Sequence, residues 1–361
     1  MTGEAVNTDI SIRLAGPEGS RVGRITLTRP KALNALTYDM AMAIESALDE
    51  WADGEEVAFV VIDGEGDRAF CAGGDIADLY NSGKNGDFEF GRKFWADEYR
   101  LNAKIGNLAL PFVAVMDGIV MGGGVGISAH GSDRIVTGRS MIAMPECGIG
   151  LIPDVGGSKI LASAPGHLGE YLGTTGYRMG PGDAVLAGFA DIQVDENEIP
   201  ELISKLEETG DLAELGSFAR PADPPQLSPH LQAIDNYFSK ATALECVLSL
   251  EADGSDWARD TAKLMRRGCP LSVACTFELI RRVRKTSSLE DALAMEYRFT
   301  FRSMSHGEFI EGVRAQIIDK DRNPQWKTAR LEDVTQAQID AMLAPLADID
   351  GENRELVLDA A

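Results

Sequence analysis

A glycine-rich turn and two acidic residues downstream of it have residue types and a spacing that could support catalysis. The turn, at residues 122–124, follows the apolar, strand-like run 111–116 and precedes the small residues 125–129, which can begin a helix. Glycines at a strand-to-helix turn let the backbone approach a ligand closely and leave amide N–H groups free to bind an anion. Glu146 and Asp154 lie in the proline- and glycine-containing loops that follow. Carboxylates in such loops can act as nucleophiles or as general acids and bases.

A second glycine loop lies earlier in the chain. The segment 69–75 contains Gly73 and Gly74; it comes after the buried-strand pattern of 57–62 and leads into a short helical pattern. The succession of strand, glycine loop and helix therefore occurs twice. Two such loops could each supply one amide N–H to a single oxygen atom and stabilise negative charge on it.

The elements that would position these loops alternate between strand and helix patterns. The segment 24–28 alternates apolar and polar residues like a strand, and Thr37 has the type of an N-cap residue. A helix ending near Gly54 is predicted from apolar residues at helical spacing, namely Met40, Ile44, Ala47, Leu48 and Trp51. The sequence therefore predicts an α/β body.

The organisation changes in the second half of the chain. We predict an α/β core over 1–195, a connecting segment rich in proline and acidic residues over 196–230, and a helical region over 231–361. The helical patterns of the last region cover 231–252, 255–267, 271–284, 288–304 and 307–318.

Charge and hydropathy exclude two classes of partner. The 361 residues include 34 Lys and Arg and 57 Asp and Glu, for a net charge of −23. Such a field repels phosphate backbones, so we expect no binding to nucleic acid. No apolar run reaches the roughly 18 residues of a membrane-spanning helix, so we expect no membrane association.

Cysteine usage and the N-terminal sequence indicate a location. The five cysteines are odd in number and show no C-x-x-C spacing, which is typical of reduced thiols. The first sixteen residues carry Glu4 and Asp9 and lack the pattern of a secretory or transit peptide. Together these features predict a cytoplasmic protein. The four histidines show no metal-ligand spacing, so no metal site is predicted.

Five motifs, in this order along the chain, resemble those of the crotonase superfamily, also called the enoyl-CoA hydratase/isomerase superfamily. They are RPKALNAL (29–36), AFCAGGDI (69–76), MGGGVGIS (121–128), MPECGIGLIPDVGG (144–157) and EGVRAQIIDKDRNPQW (311–326). The resemblance implies a spiral of ββα turns with a helical C-terminal region. It also implies that the substrate is an acyl-CoA thioester, with CoA as part of the substrate and no separate cofactor. Assembly into a homo-oligomer is frequent in the superfamily.

The resemblance assigns roles to residues at the motif positions. The oxyanion would be bound by the backbone N–H groups of Gly74 and Gly123. Gly73 and Glu98 would contact the substrate, and Glu98 would hydrogen-bond a substrate hydroxyl. For the phosphates of CoA, the cations that we predict are Arg29, Lys31, Lys320 and Arg322.

The pattern of acidic residues favours thioester hydrolysis over hydration of a double bond. The hydratase pattern places two carboxylates on one water, at the positions of Gly126 and Glu146, and Gly126 has no side chain. The hydrolase pattern instead has the pair Glu146 and Asp154. We assign Glu146 as nucleophile or general base, and Asp154 as the group that positions it or handles the proton. The resemblance is closest to hydrolases of small 3-hydroxyacyl-CoA thioesters, such as 3-hydroxyisobutyryl-CoA in valine degradation.

Three other interpretations are open at this stage. The first is an enoyl-CoA hydratase or isomerase of the same fold, and the second is a CoA-binding protein without activity. The third is an NAD-binding domain, because residues 124–129 satisfy a relaxed G-x-G-x-x-A fingerprint with Glu146 twenty residues after Gly126. Cys147, beside Glu146, has the type of a nucleophile but no histidine partner nearby in the sequence.

Overall fold

The computed structural model describes residues 8–54, 56–286, 288–346 and 351–358. The strands are β1 (Ile10–Ala15), β2 (Arg21–Leu27), β3 (Val57–Gly64), β4 (Ala69–Cys71), β5 (Phe112–Met116), β6 (Ile119–Met121), β7 (Asp133–Val136), β8 (Met141–Ala143) and β9 (Ile192–Gln193). The first nine α-helices are α1 (Tyr38–Asp53), α2 (Ala77–Lys84), α3 (Phe88–Gly106), α4 (Gly123–Gly126), α5 (Gly157–Ser163), α6 (Leu168–Thr175), α7 (Pro181–Leu186), α8 (Ile199–Thr209) and α9 (Leu215–Phe218). They are followed by α10 (Leu231–Phe238), α11 (Ala243–Asp253), α12 (Asp256–Arg267), α13 (Pro270–Val283), α14 (Leu289–His306), α15 (Glu308–Val313) and α16 (Gln336–Leu343).

The chain folds into two compact units, and each combines three stretches of sequence. Unit 1 consists of Met1–Asp75, Lys104–Ile142 and Met179–Gln226. Unit 2 consists of Ile76–Ala103, Ala143–Arg178 and Leu227–Ala361. The boundaries that we predicted near 195 and 230 divide the chain in sequence order, whereas these units interleave along it.

Unit 1 is organised around a six-stranded sheet in the order β1-β2-β3-β5-β7-β9. The β1–β2 pair is antiparallel, and the remaining pairs are parallel. Helix α1 packs so closely on β2 that an ideal Cβ at Gly23 would lie 2.6 Å from the ring of Trp51. The apolar residues predicted for this helix are buried, and Thr37 caps it by accepting the Met40 N–H.

Helix α8 contributes to the core of unit 1. Leu202 and Leu206, one turn apart on α8, belong to one buried cluster with Val22, Phe59, Val61, Val113, Val115, Ile135, Val194 and Leu215. Burial of such a leucine side chain contributes roughly 1.5–3 kcal/mol. Part of the segment 196–230, which we predicted to connect two domains, is therefore core-forming helix. Its prolines and acidic residues concealed the spacing of its leucines.

Unit 2 is mainly helical. Helix α13 has most of its residues buried, including Leu271, Phe277 and Ile280, and it packs against α5, α6 and α16. The predicted helices at 255–267, 271–284 and 288–304 agree with α12, α13 and α14 to within two residues at each end. The predicted helix 231–252 is instead divided into α10 and α11, because Thr242 caps a new helix by accepting the Glu245 N–H. In the described part of the chain, no helix has the length and apolarity required to cross a membrane.

Candidate active site

The two glycine loops lie beside each other in unit 1. Strand β4 pairs in parallel with β6, with Ala69 opposite Ile119 and Cys71 opposite Val120. Because paired parallel strands point the same way, the glycine loops that follow them leave from the same end. An ideal Cβ at Gly124 would lie 2.3 Å from the carbonyl oxygen of Cys71. This close approach therefore requires glycine at position 124.

Each predicted amide donor lies outside the local backbone hydrogen bonds. Gly74 forms an isolated parallel bridge with Leu36. The bridge consists of Leu36 N–H donating to Gly73 O at 2.9 Å and Asp75 N–H donating to Leu36 O at 2.8 Å, which leaves the Gly74 N–H outside both bonds. Gly123 is the first residue of α4, so its N–H has no acceptor within that helix. Among the residues that the structure describes, both N–H groups are thus available to an acceptor outside the local backbone.

The backbone around these donors has conformations that favour glycine. Gly73 has a φ of +115°, and Gly122, the residue before α4, has φ 49° and ψ −122°. A side chain would strain the backbone at both positions. The helix α4 is only four residues long. A dinucleotide-binding turn opens a helix of a full βαβ unit, so this short helix argues against the NAD-binding interpretation.

Arg29, predicted to bind CoA phosphate, has a local role in unit 1. Its guanidinium pairs with Asp75 at 3.0 Å and with Asp9 at 3.2 Å, and it donates to the Ala35 carbonyl oxygen at 2.6 Å. Arg29 thereby ties the loop after Gly74 to the end of β2. Lys31 is exposed to solvent. CoA binding by either residue stays a prediction.

Lys320 and Arg322 lie on an exposed loop of unit 2 that Arg314 organises. Arg314 pairs with Glu311 at 2.8 Å and with Asp319 and Asp321, each at 2.7 Å. Lys320 and Arg322 have left-handed φ values of 57° and 55°, and both are exposed. The loop therefore presents two cations to solvent, and their binding to CoA stays a prediction.

The three predicted acidic residues are buried in unit 2. Glu98 lies on α3, Glu146 begins the 3-10 turn Glu146–Ile149, and Asp154 lies in the loop before α5. Their relative exposures are 4%, 5% and 4%. Tyr99, the neighbour of Glu98, is fully buried and donates its hydroxyl to Asp154 Oδ2 at 2.7 Å.

Burial raises the pKa of all three acids, and the negative charge of Asp154 further raises the pKa of Glu98 and Glu146. Burial, followed by the negative charge of Asp154, raises the pKa of Glu98 to about 8. Burial raises the pKa of Asp154 to about 7, against the opposing effect of the Tyr99 hydrogen bond. Burial, followed by the charge of Asp154, also raises the pKa of Glu146 well above its ordinary value. Carboxyl groups that titrate near neutral pH are suited to proton transfer, and such clusters occur often at functional sites.

Several buried polar atoms near these acids have no hydrogen-bond partner among the described residues. They are Glu98 Oε1, Glu146 Oε2, and both Oδ1 and Nδ2 of Asn102. Asn102 lies one helical turn after Glu98 on α3, and it is fully buried. Buried polar atoms in folded proteins are nearly always paired. Unpaired atoms on two of the three acids are therefore a sign of a site that binds polar groups.

Sequence reasoning missed two members of this cluster. Tyr99 contacts Asp154, and Glu296 of α14 accepts hydrogen bonds from Gly156 and Ser158 in the segment after Asp154. The sequence did contain an indication of Glu296, because this acidic residue lies at helical spacing with Leu293 and Thr300 on the buried face of α14. An acidic residue on an otherwise core-facing stripe requires a partner.

Cys147 has a structural environment. It is buried, and its Sγ lies 3.3 Å from Thr276 Oγ1 and 3.4 Å from the Gly173 carbonyl oxygen. Burial raises the pKa of this thiol far above its ordinary value. A reactive cysteine requires a stabilised thiolate, so this environment argues against Cys147 as a nucleophile.

We expect Tyr99→Phe to lower the free energy of unfolding by about 1.5–3 kcal/mol at pH 8, because Asp154 would lose its donor while remaining buried. The measurement is urea unfolding. Tyr237→Phe is the matched control, because Tyr237 donates to Asp253 at 2.6 Å on the surface, where water can replace the hydroxyl. Equal stability changes in the two variants would contradict a buried hydrogen bond at Asp154.

Comparisons with known proteins agree on one family. A family model described as enoyl-CoA hydratase/isomerase matches residues 22–343. The chain is 39% identical over 339 residues to a mitochondrial 3-hydroxyisobutyryl-CoA hydrolase of Gallus gallus, covering 91% of this chain and 88% of the relative. The corresponding protein of Xenopus tropicalis is 40% identical, with the same coverage.

Two solved structures are similar over nearly the whole chain. One is described as an enoyl-CoA hydratase from Rhodobacter sphaeroides, with a TM-score of 0.88, 46% identity, and coverage of 97% of this chain and 100% of that one. The other is described as a carnitinyl-CoA dehydratase from Mycobacterium thermoresistibile, with a TM-score of 0.91, 39% identity, and coverage of 98% and 100%.

The predicted cytoplasmic location is wrong on this comparison, because the relatives from Gallus gallus, Xenopus tropicalis and Homo sapiens are all named as mitochondrial. The features behind the prediction were an odd number of cysteines and the composition of the first residues. Unpaired cysteines indicate a reducing environment but do not distinguish one reducing compartment from another.

Proposed function

The chain belongs to the enoyl-CoA hydratase/isomerase family, and we propose that it hydrolyses 3-hydroxyisobutyryl-CoA to 3-hydroxyisobutyrate and CoA. Relatives that carry the name of this hydrolase, at 39–40% identity over most of the chain, support the proposal. The observation that carries it is the set of acids. Position 126 is glycine, so the second carboxylate of the hydratase pattern is missing, whereas Glu146 and Asp154 are both present and buried.

The proposed reaction uses amide groups and carboxylates in separate roles. The N–H groups of Gly74 and Gly123 bind the carbonyl oxygen of the thioester and stabilise the negative charge that develops on it. Glu146 either attacks the carbonyl carbon or removes a proton from the water that attacks. The C–S bond then breaks, and CoA leaves as a thiolate that takes up a proton. Asp154 positions Glu146 or carries that proton. In the water-attack route the oxygen of the water enters the product acid directly. In the direct-attack route the acyl group is left on Glu146 as an anhydride, and a water then hydrolyses this anhydride to the product acid and free Glu146.

The acidities of the cluster suit these steps. A carboxyl group with a raised pKa is a stronger base once it has lost its proton. Asp154, with a pKa of about 7, can both release and accept a proton near neutral pH. We propose that Glu98, whose buried Oε1 is unpaired, binds the 3-hydroxyl group of the substrate.

Release of free thiol by the purified protein tests this proposal. We expect 3-hydroxyisobutyryl-CoA to be cleaved at least about tenfold faster, as kcat/KM, than isobutyryl-CoA, because a site that hydrogen-bonds a hydroxyl leaves its polar groups unpaired when the hydroxyl is absent. Equal cleavage of both substrates would contradict recognition of the hydroxyl. No thiol release from either would contradict the hydrolase proposal.

An enoyl-CoA hydratase is the second candidate, and one observation favours it. The solved structure with 46% identity is described as an enoyl-CoA hydratase. Hydration of a double bond requires proton transfers that two carboxylates on one water can perform. In the hydratase pattern these carboxylates lie at positions 126 and 146, and Gly126 has no carboxylate. We therefore place hydrolysis first.

The same resemblance supports proposals about the pathway, the cofactor requirement, the assembly and the binding of CoA. The reaction would belong to valine degradation, and the protein would require no cofactor beyond the CoA of its substrate. A homo-oligomer is compatible with the family. The phosphates of CoA would be bound by the basic residues Arg29, Lys31, Lys320 and Arg322.

A further inference from the structure

Glu296 is a fully buried carboxylate on which three donors converge. Its Oε2 accepts the Gly156 N–H at 2.8 Å, and its Oε1 accepts the Ser158 N–H at 3.0 Å. The Ser158 hydroxyl also donates to Oε1. Its relative exposure is 0%. Both oxygens accept hydrogen bonds, as those of an ionised carboxylate do. These hydrogen bonds oppose the effect of burial, which raises the pKa of Glu296 to about 8.

The segment that Glu296 holds follows Asp154 directly, and it is strained. Val155 has a left-handed φ of 53°, which is unfavourable for a β-branched residue. Gly156 follows with a φ of 78°, and the Gly157 N–H donates to the Asp154 carbonyl oxygen at 2.7 Å. Strain of this kind persists only where the surroundings fix the backbone. The hydrogen bonds to Glu296 supply that fixation.

Helix α14 also supports the side chain of Asp154. Thr300 lies one turn after Glu296 on α14, and its Oγ1 is 3.5 Å from the hydroxyl of Tyr99. That hydroxyl donates to Asp154 Oδ2 at 2.7 Å. The backbone after Asp154 and the partner of its side chain therefore both contact the same face of α14.

We propose that Glu296 is a positioning residue for the hydrolysis: its carboxyl group fixes the loop that carries Asp154 and, once ionised, adds negative charge to the acid cluster. The proposal rests on the proposed function. Glu296 acts through Asp154 and Glu146 rather than by touching the substrate. Its hydrogen bonds determine where Asp154 lies, and its charge affects how readily Glu146 loses a proton.

The isosteric variant Glu296→Gln tests both parts of the proposal. The glutamine side chain has a carbonyl oxygen that accepts and an NH2 group that donates. Its NH2 group would therefore face the N–H of either Gly156 or Ser158, donor against donor, and one hydrogen bond would be lost. We expect kcat to fall about 10–100-fold, as for a small displacement of a reacting group, while KM stays within about threefold.

The pH profile gives a readout that a purely structural role would not change. Titratable groups of the cluster are Glu98 and Tyr99 on α3, Glu146, Asp154 and Glu296. After burial and Asp154, the charge of Glu296 is a further cause of the raised pKa of Glu146. Replacing that charge lowers the pKa of Glu146, so we expect the acid limb of kcat/KM to move to lower pH in Glu296→Gln.

A matched control separates positioning from general stability. Glu308 is also buried and accepts backbone N–H groups, from Lys327 at 3.1 Å and from Thr328 at 3.4 Å. Glu308→Gln should lower the thermal midpoint of unfolding but leave the acid limb unchanged. If Glu296→Gln fails to fold, the variant Ser158→Ala tests the positioning role instead, because it removes the hydroxyl that donates to Glu296. We expect the kcat of Ser158→Ala to fall a few-fold while KM stays constant.

The outcomes distinguish this inference from the proposed function. If the wild-type protein releases no thiol, the proposed function fails. If the wild type is active and Glu296→Gln keeps its kcat and its acid limb, the inference is overturned while the proposed function stands. If Glu296→Gln does not fold, an unchanged kcat in Ser158→Ala overturns the inference in the same way.

Discussion

Glu146→Gln is expected to lower thiol release from 3-hydroxyisobutyryl-CoA by about 10³-fold or more, because an amide can neither attack the carbonyl carbon nor take a proton from water. The variant should fold. Burial raises the pKa of Glu146 in the folded state, so the wild type loses stability as pH rises through the range between the ordinary and the raised pKa. Glutamine carries no charge to bury, and the variant should be at least as stable as the wild type at pH 8. Thiol release and thermal unfolding measure the two effects.

Cys147→Ala is the control for the neighbouring position. The Cys147 thiol is buried beside Thr276, and its pKa is raised by burial, so we expect thiol release to stay within a few-fold of the wild type. Loss of activity in Cys147→Ala together with near-normal activity in Glu146→Gln would reverse the assignment of the nucleophile.

Gly124→Ala should have the second largest effect, through the spacing of the two glycine loops. The added Cβ would lie 2.3 Å from the Cys71 carbonyl oxygen, and because that atom belongs to the backbone of β4, one loop must shift relative to the other. Misaligned amide donors should lower kcat by about 10²–10³-fold, the effect of losing one oxyanion donor. Steady-state kinetics with 3-hydroxyisobutyryl-CoA measure this loss.

Gly216→Ala provides the matched glycine control. Gly216 lies in α9, and an ideal Cβ at this position would meet no atom of the described residues within 4 Å outside the helix's own backbone and its chain neighbours. Activity of this variant should equal that of the wild type. If Gly124→Ala were as active as Gly216→Ala, the close packing of the two loops would have no part in catalysis.

Local patterns predicted the elements and the fold well. The crotonase-like α/β fold with a helical C-terminal region is confirmed by the solved structures of high similarity. Thr37 and the apolar face of α1 were visible in the sequence because capping and helical periodicity depend on residues a few positions apart. The pairing of β4 with β6 brings together two glycine loops that the sequence presents as separate repeats.

Long-range contacts were beyond sequence reasoning. The hydrogen bond from Tyr99 to Asp154 joins residues 55 positions apart, and that from Ser158 to Glu296 joins residues 138 apart. No local spacing indicates such pairs. The resemblance indicated Glu98, Glu146 and Asp154 as motif positions, but the partners that hold Asp154 in place are defined only by the packing of α3 and α14.

The domain prediction shows a related difficulty. Composition suggested a connecting segment over 196–230, yet α8 places Leu202 and Leu206 in the core of unit 1. Prolines and acids on the exposed face of a helix produce the same composition as a surface loop. A short amphipathic helix is therefore easily missed where only two leucines mark its buried face.

The central claim is that the acids of this chain serve thioester cleavage and not hydration. The most direct measurement gives the purified wild-type protein 3-hydroxyisobutyryl-CoA and crotonyl-CoA in parallel, and follows free thiol and the absorbance of the double bond. We expect thiol release from 3-hydroxyisobutyryl-CoA and no loss of the double bond of crotonyl-CoA. Hydration of crotonyl-CoA without thiol release from 3-hydroxyisobutyryl-CoA would contradict the claim.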